Sequence, residues 1–258
     1  MDNLLEVRNL SISFGGLKAV DDLSFEISEG EIYGIIGPNG AGKTTAFNCI
    51  AQFYKPDSGQ VLFKTAGGKS IDLVTKKSHE MVSLGLVRTF QNVELIVNLS
   101  VLENLLVGAH AAFRSGLLSQ VLRLPAARNE ERAHRQKAMH VLDFLQLTHI
   151  KDMPALMQPY GIQKRIELGR TLMHDPRLII LDEPAAGLNE TETCELVSTI
   201  RTAQEEYGAS ILLIEHDMNF VTSLCHRICA ISFGKRLAAG TPDEVKANPM
   251  VQEAYLGK

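Results

Sequence analysis

The stretch GPNGAGKT (37–44) sets glycines, a lysine and a threonine in the pattern G-x-x-x-x-G-K-[ST]. Gly37, Gly40 and Gly42 let the backbone curl until successive N–H groups face one anion, with Pro38, Asn39 and Ala41 completing the loop. The helical stretch that follows, TTAFNCIAQF, adds the positive end of its dipole. Lys43 can then reach the β- and γ-phosphates of a nucleotide, and the Thr44 hydroxyl can ligate Mg²⁺. Thr45 is a further donor toward the α-phosphate side. The loop comes after EIYGIIG (31–37), an almost unbroken apolar run, which is the context the pattern requires.

A second stretch, LIILDEP (178–184), ends four apolar residues on two carboxylates. A buried strand of this kind delivers Asp182 to the carboxyl edge of an α/β sheet, where ligands bind. Asp182 can hold Mg²⁺, and Glu183, one residue on, can orient and activate a water. A third stretch, ILLIEHDMNF (211–220), carries His216 after another apolar run. Taken alone, that histidine reads as a polar residue at a strand's mouth.

The elements that must position these groups are legible in the hydrophobic pattern. LLEVRNLSISF (4–14) and LSFEIS (23–28) alternate apolar and polar residues, as antiparallel strands with one wet face do. EIYGIIG, LIILD (178–182), SILLIE (210–215) and RICAIS (227–232) read as buried strands, and QVLFK (60–64) as another short strand. Helical patterns fall near 76–85, 101–113, 126–147, 161–174, 190–207 and 219–225. Within them Ala138, Val141, Leu142 and Leu145 form one apolar stripe, and Ile162, Ile166 and Met173 another. Strands alternating with helices predict an α/β core with helices on both faces of a parallel sheet. The expected organisation is one domain: residues 1–90 and 161–258 as the α/β core with its antiparallel part, and about 91–160 as an inserted helical lobe.

The chain has 258 residues, a formal net charge of −4 and 45% hydrophobic residues. These are the proportions of an ordinary globular protein and argue against a nucleic-acid binder. No apolar run approaches the roughly 18 residues of a membrane span, and MDNLLEVRNL lacks the features of a secretory signal. A cytosolic protein that meets a membrane only through a partner is expected. Cys49, Cys194, Cys225 and Cys229 form no paired framework and read as free thiols, with CHRIC (225–229) set in core-like surroundings.

With both halves of a triphosphate site in place, the sequence resembles the ATPase subunits of ABC transporters over nearly its whole length. Within them it is most similar to the ATP-binding subunits of branched-chain amino-acid importers. The closer likeness rests on SFGGLKAVDDLSF (13–25), GLVRTFQN (85–92), LSVLENLLVG (99–108), DEPAAGLNETE (182–192) and AAGTPDEVKANPMVQEAYLG (238–257). The resemblance implies a P-loop NTPase core with a mixed sheet, an N-terminal antiparallel β subdomain and an inserted α-helical subdomain. It implies ATP and Mg²⁺ as ligands. Phe14 matches the aromatic that stacks on adenine, and Gln91 the glutamine that senses Mg²⁺ and γ-phosphate. His216 matches the histidine that bonds the γ-phosphate and helps fix the attacking water. NVELIVNLSVLEN (92–104) matches the groove that receives a helix of the transmembrane permease, and AAGLN (185–189) the loop that crosses to a second ATPase subunit. It also implies a peripheral place on the cytoplasmic face of the inner membrane. Other cargoes (urea, short amides, an exporter's lipid) and a regulatory subunit with little turnover remain alternatives. Chromosome-maintenance ATPases are excluded, because no sustained heptads separate the two halves of the site.

One segment departs from the family's pattern. Where relatives carry L-S-G-G-Q, this chain reads QPYGIQ (158–163): Pro159 replaces serine, Tyr160 the first glycine and Ile162 the glutamine, while Gly161 is kept. This motif caps the γ-phosphate of the opposite subunit. Proline lacks both the hydroxyl and the backbone N–H, so up to two donors are lost, although the helix can still begin there. The expectation is a weakened cap given to the partner, best accommodated by a heterodimer. Measured alone, the chain then hydrolyses ATP slowly, and Pro159→Ser speeds it roughly tenfold or more, given about 1.5–3 kcal/mol per charge-assisted hydrogen bond. Brisk steady-state turnover, unchanged by the substitution, removes the idea.

Overall fold

Two glycines decide the first turn. Phe14 pairs with Leu17 across Gly15 and Gly16, with Gly15 at φ 59°, so the chain reverses in a two-residue hairpin. The second strand therefore starts at Leu17, earlier than the alternation in LSFEIS suggests. The computed structural model describes residues 3–89, 94–108 and 125–256. By contact the chain divides into two units, Met1–Gln91 with Arg177–Lys258, and Asn92–Pro176.

The first unit holds two sheets. Strands β1 (Asn3–Phe14), β2 (Leu17–Ser28), β4 (Ser58–Lys64) and β5 (Ser70–Asp72) form an antiparallel sheet in the order β2-β1-β4-β5. Strands β3 (Ile32–Ile36), β6 (Leu86–Arg88), β7 (Leu178–Asp182), β8 (Ser210–Ile214), β9 (Arg227–Ser232) and β10 (Lys235–Gly240) form a second sheet in the order β10-β9-β3-β8-β7-β6. It is mixed: β9, β3, β8, β7 and β6 run parallel, and β10 returns antiparallel to β9. Both β6 and β10 escaped the sequence pattern, since three residues show no period and KRLAAG carries a single large apolar side chain, Leu237.

Helix α1 (Lys43–Ile50) buries Ala46, Phe47, Cys49 and Ile50 in one core with residues of both sheets. That core takes alternate residues of the central strands, among them Ile35, Ile180, Leu212 and Ile231. The intervening residues face the other way. There Gly34 lies so close to Val221 and Cys225 that a Cβ would come within 2.9 Å of the Cys225 sulfur. This is the face covered by α7 (Met218–Leu224), which follows α6 (Glu190–Tyr207) and β8. The helix expected over 76–85 shrinks to a 3₁₀ turn (Ser78–Glu80) and the single turn α2 (Met81–Leu84), ended by Gly85 at φ 90°. Two short helices, α8 (Pro242–Lys246) and α9 (Pro249–Leu256), close the chain.

The second unit contains α3 (Val101–Gly108), α4 (Pro125–Phe144) and α5 (Tyr160–Leu172). The expected stripe Ala138, Val141, Leu142 and Leu145 is fully buried, as are Ile166 and Met173, while Ile162 is half-buried. The lobe expected to end near 160 runs on to Pro176 as one cluster. The reason is α5: its Gly169 lies against Leu105, Val141 and Leu145, so this helix shares the helical core. Buried Asn104 holds the preceding loop, accepting from Ile96 N–H at 2.8 Å and donating to the Ser100 and Leu99 carbonyls at 3.0 and 3.3 Å.

Two glycines here predict different costs. A Cβ on Gly108 meets the backbone of Arg170 at 2.9 Å, whereas one on Gly169 meets the end of the Leu145 side chain at 2.7 Å. Backbone cannot yield as a methyl group can. In thermal or urea unfolding, Gly108→Ala loses about 1–3 kcal/mol and Gly169→Ala less.

Candidate nucleotide site

The phosphate loop is wedged in place by backbone. A Cβ at Gly37 would lie 2.2 Å from the Ile231 carbonyl oxygen, and one at Gly42, which holds φ 99°, 2.2 Å from that of Ala19. Only glycine fits at either point. The loop is further tied by Ala41 N–H to Pro38 O at 3.1 Å and by Gly234 N–H to Ala41 O at 2.9 Å. Gly234 belongs to the β9–β10 turn, whose other residue, Phe233, is 90% exposed at φ 47°. The first-turn amides of α1 have no intrahelical acceptor and are open to an anion.

Lys43 is buried, and its ammonium donates to the Gly37 and Pro38 carbonyls at 2.7 and 3.0 Å. Burial pulls its pKa below the ordinary lysine value, opposed by the carboxylates of Glu183, Asp182 and Glu215. Thr44 is exposed. An open cleft of about 390 Å³ is lined by Asn39, Gly40, Ala41, Gly42, Lys43, Thr44 and Thr45, together with Phe14 and Glu183. Phe14 is 49% exposed, and its ring meets Tyr54 edge-on at 5.4 Å. Phe14 is therefore a cleft residue and not part of the core.

The two carboxylates differ in setting. Asp182 ends β7 and is 2% exposed. Its Oδ2 accepts from Arg88 Nη2 at 2.8 Å, while Oδ1 is buried with no hydrogen-bond partner among the described residues. Removing one member of a buried ion pair of this kind costs about 3–5 kcal/mol. Glu183 holds φ 46°, a left-handed conformation rare for glutamate. Its N–H donates to Ile214 O at 3.0 Å, across to the end of β8.

His216 follows β8 and shares that strand-end edge, because β8 lies between β3 and β7. It is 57% exposed and does not line the cleft. Gln91 lies outside the described residues. Pro159, Tyr160 and Gly161 belong to the other unit. Pro159 stands at the N-cap of α5 with φ −50° and makes no side-chain cap. Asn189, at the end of AAGLN, caps α6 by accepting from Glu192 N–H at 3.0 Å, and Glu192 returns the bond to Asn189 N–H.

Sequence reasoning missed three residues of the site. Glu215 is buried and accepts from Ala185 N–H and His216 N–H, each at 3.0 Å, joining the strand end to the loop after Glu183. Burial pushes its carboxyl above the usual range, although these backbone donors pull it down. A charge closing an apolar run was the available signal. Arg88 is the second, reaching Asp182 from β6. Tyr255 of α9 is the third: burial pushes its hydroxyl up to about 12, and the Gly37 backbone lies close enough to oppose that rise. His226, one of the residues of CHRIC, is committed to structure, its Nδ1 accepting from Ile32 N–H at 2.9 Å.

Comparison with known proteins gives the family. The family model described as ABC transporter matches residues 20–186, and one described as Branched-chain amino acid ATP-binding cassette transporter matches 235–258. The chain is 41% identical, over 99% of its length and 98% of the relative's, to the high-affinity branched-chain amino acid transport ATP-binding protein BraF of Pseudomonas aeruginosa. It is 40% identical over the same shares to LivG of Escherichia coli. The fold matches the ADP conformation of MJ1267, an ATP-binding cassette of an ABC transporter, with a TM-score of 0.84 and 32% identity over 100% of both chains. It also matches cbiO1 of Clostridium perfringens, with a TM-score of 0.80 and 26% identity over 99% of this chain and 96% of that one. The chain belongs to the ABC transporter ATP-binding family, as a nucleotide-binding ATPase subunit closely related to those of branched-chain amino-acid importers.

Proposed function

We propose that this ATPase powers uptake of branched-chain or similar amino acids. The observation that carries the reading is the meeting of Lys43, Thr44, Glu183 and Phe14 around one cleft built on a phosphate loop. Full-length likeness to BraF and LivG, whose names specify branched-chain amino acid transport, supports the cargo.

Each residue then has a task. Phe14 stacks on adenine. The amides of Asn39 to Thr45 and the Lys43 ammonium grip the phosphates, Lys43 leaving the loop carbonyls as it does so. Glu183 aims water at the terminal phosphorus and takes up its proton, and His216 turns in to bond the γ-phosphate. The buried unpartnered Oδ1 of Asp182 and the exposed Thr44 hydroxyl fit a magnesium site, with Gln91 as the further ligand. Mg²⁺ bound there neutralises phosphate charge.

The chain works in a head-to-tail dimer with a second ATPase subunit, carried by transmembrane permease subunits on the cytoplasmic face of the membrane. No described helix is long and apolar enough to cross a membrane, so a permease supplies the attachment. Its docking groove lies in the helical unit, where Val97 is 63% exposed and Ile96 is also exposed. A heterodimer is favoured because Pro159, at the N-cap of α5, offers neither a hydroxyl nor a backbone N–H, so the site that this chain completes in its partner is the weaker one.

Glu183→Gln should retain ATP affinity and lose turnover by at least about 10²-fold in a phosphate-release assay. Lys43→Ala should lose Mg-ATP binding itself, measured by equilibrium titration. Undiminished binding in Lys43→Ala, or undiminished turnover in Glu183→Gln, removes the assigned roles.

A further inference from the structure

Arg88 joins parts of the site that come from separate stretches of sequence. It ends β6, which pairs in parallel with β7, Arg88 standing opposite Ile180. Thr89 N–H donates to Ile180 O at 2.9 Å and fixes the strand's end. From there the guanidinium runs to three partners. Nη2 donates to Asp182 Oδ2 at 2.8 Å, and Nη1 donates to Asn48 Oδ1 at 2.6 Å. The Phe53 ring covers its face, with 5.4 Å from Cζ to the centroid. Asp182 closes β7, Asn48 belongs to α1, and Phe53 follows that helix.

The geometry has a consequence for the carboxylate. A planar fork held at two ends cannot swing, so Asp182 Oδ2 is committed and the carboxylate is fixed in rotation. Among the described residues, Oδ1 is left buried without a hydrogen-bond partner. Asn48 lies on the same helix as Thr44, so the guanidinium also fixes the helix that carries the threonine hydroxyl against the carboxylate.

We propose that Arg88 is a positioning residue for the metal: through Asn48 and Asp182 it sets the spacing between Asp182 Oδ1 and the Thr44 hydroxyl. The inference rests on Asp182 and Thr44 as metal ligands. Outer partners of this kind typically govern metal affinity by about 10–100-fold. Lysine keeps the charge but offers a single point where Arg88 offers a fork, so it cannot hold Asn48 and Asp182 together in this way.

The test uses the purified full-length chain with ADP, reading Mn²⁺ binding by electron paramagnetic resonance and ADP affinity in EDTA by titration. Arg88→Lys weakens Mn²⁺ binding in the presence of ADP about tenfold, with ADP affinity in EDTA changed less than about twofold. Asn48→Ala moves Mn²⁺ binding the same way by a smaller factor and carries the test if Arg88→Lys does not fold. Unchanged Mn²⁺ binding in both variants overturns the proposal. So does an equal loss with and without metal, which is what a purely structural ion pair gives. Asp182→Asn separates the two levels. If it leaves Mn²⁺ binding intact, the metal reading itself fails. If it weakens Mn²⁺ binding while Arg88→Lys and Asn48→Ala do not, only the role of Arg88 fails.

Discussion

Parallel pairing of β3, β8 and β7 is the constraint on which the site depends. Residues 32–35 pair with 211–214, and 178–182 with 210–214. This register sets the ends of three strands side by side. The phosphate loop leaves one, Asp182 and Glu183 close the second, and Glu215 and His216 close the third. None of these groups is near the others in sequence. A one-residue slip would turn every central side chain to the opposite face of the sheet, and both faces are filled: one by the core around α1, the other by residues packed near α7.

Around that edge, buried polar groups are held by backbone and by one another. Glu215 takes backbone N–H groups from the loop after Glu183 and from His216. Lys43 rests on carbonyls of its own loop. Asp182 shares its charge with Arg88 and keeps one oxygen free of hydrogen bonds from the described residues. Burying charge in this way is expensive unless it is paired. Glu183 in a left-handed conformation belongs to the same pattern, a strained position beside the cleft of the phosphate loop.

The helical unit follows a different logic. Its core is built from stripes at helical spacing, and close approach at Gly108 and Gly169 lets its helices meet. A few of its exposed residues, among them Val97 and Met157, are large and apolar and suit a partner surface. Pro159 is tolerated because the start of a helix needs no intrahelical N–H bond.

The sequence by itself determined the phosphate loop, the two carboxylates after LIIL and the alternation of strand and helix. Each is a local pattern whose physical cause lies within a few residues: glycine's freedom, an apolar run, a period of two or 3.6. The likeness to a family added Phe14, and the structure leaves its ring exposed beside the loop. Tertiary structure decided the rest. The strands Leu86–Arg88 and Lys235–Gly240 exist because a neighbour offers them hydrogen bonds, not because their residues have a pattern. Helix α5 joined the helical unit because its buried face fits there. Arg88, Glu215 and Tyr255 became part of the site only through contacts between segments far apart in the chain, and no spacing along a sequence encodes a contact that folding alone creates.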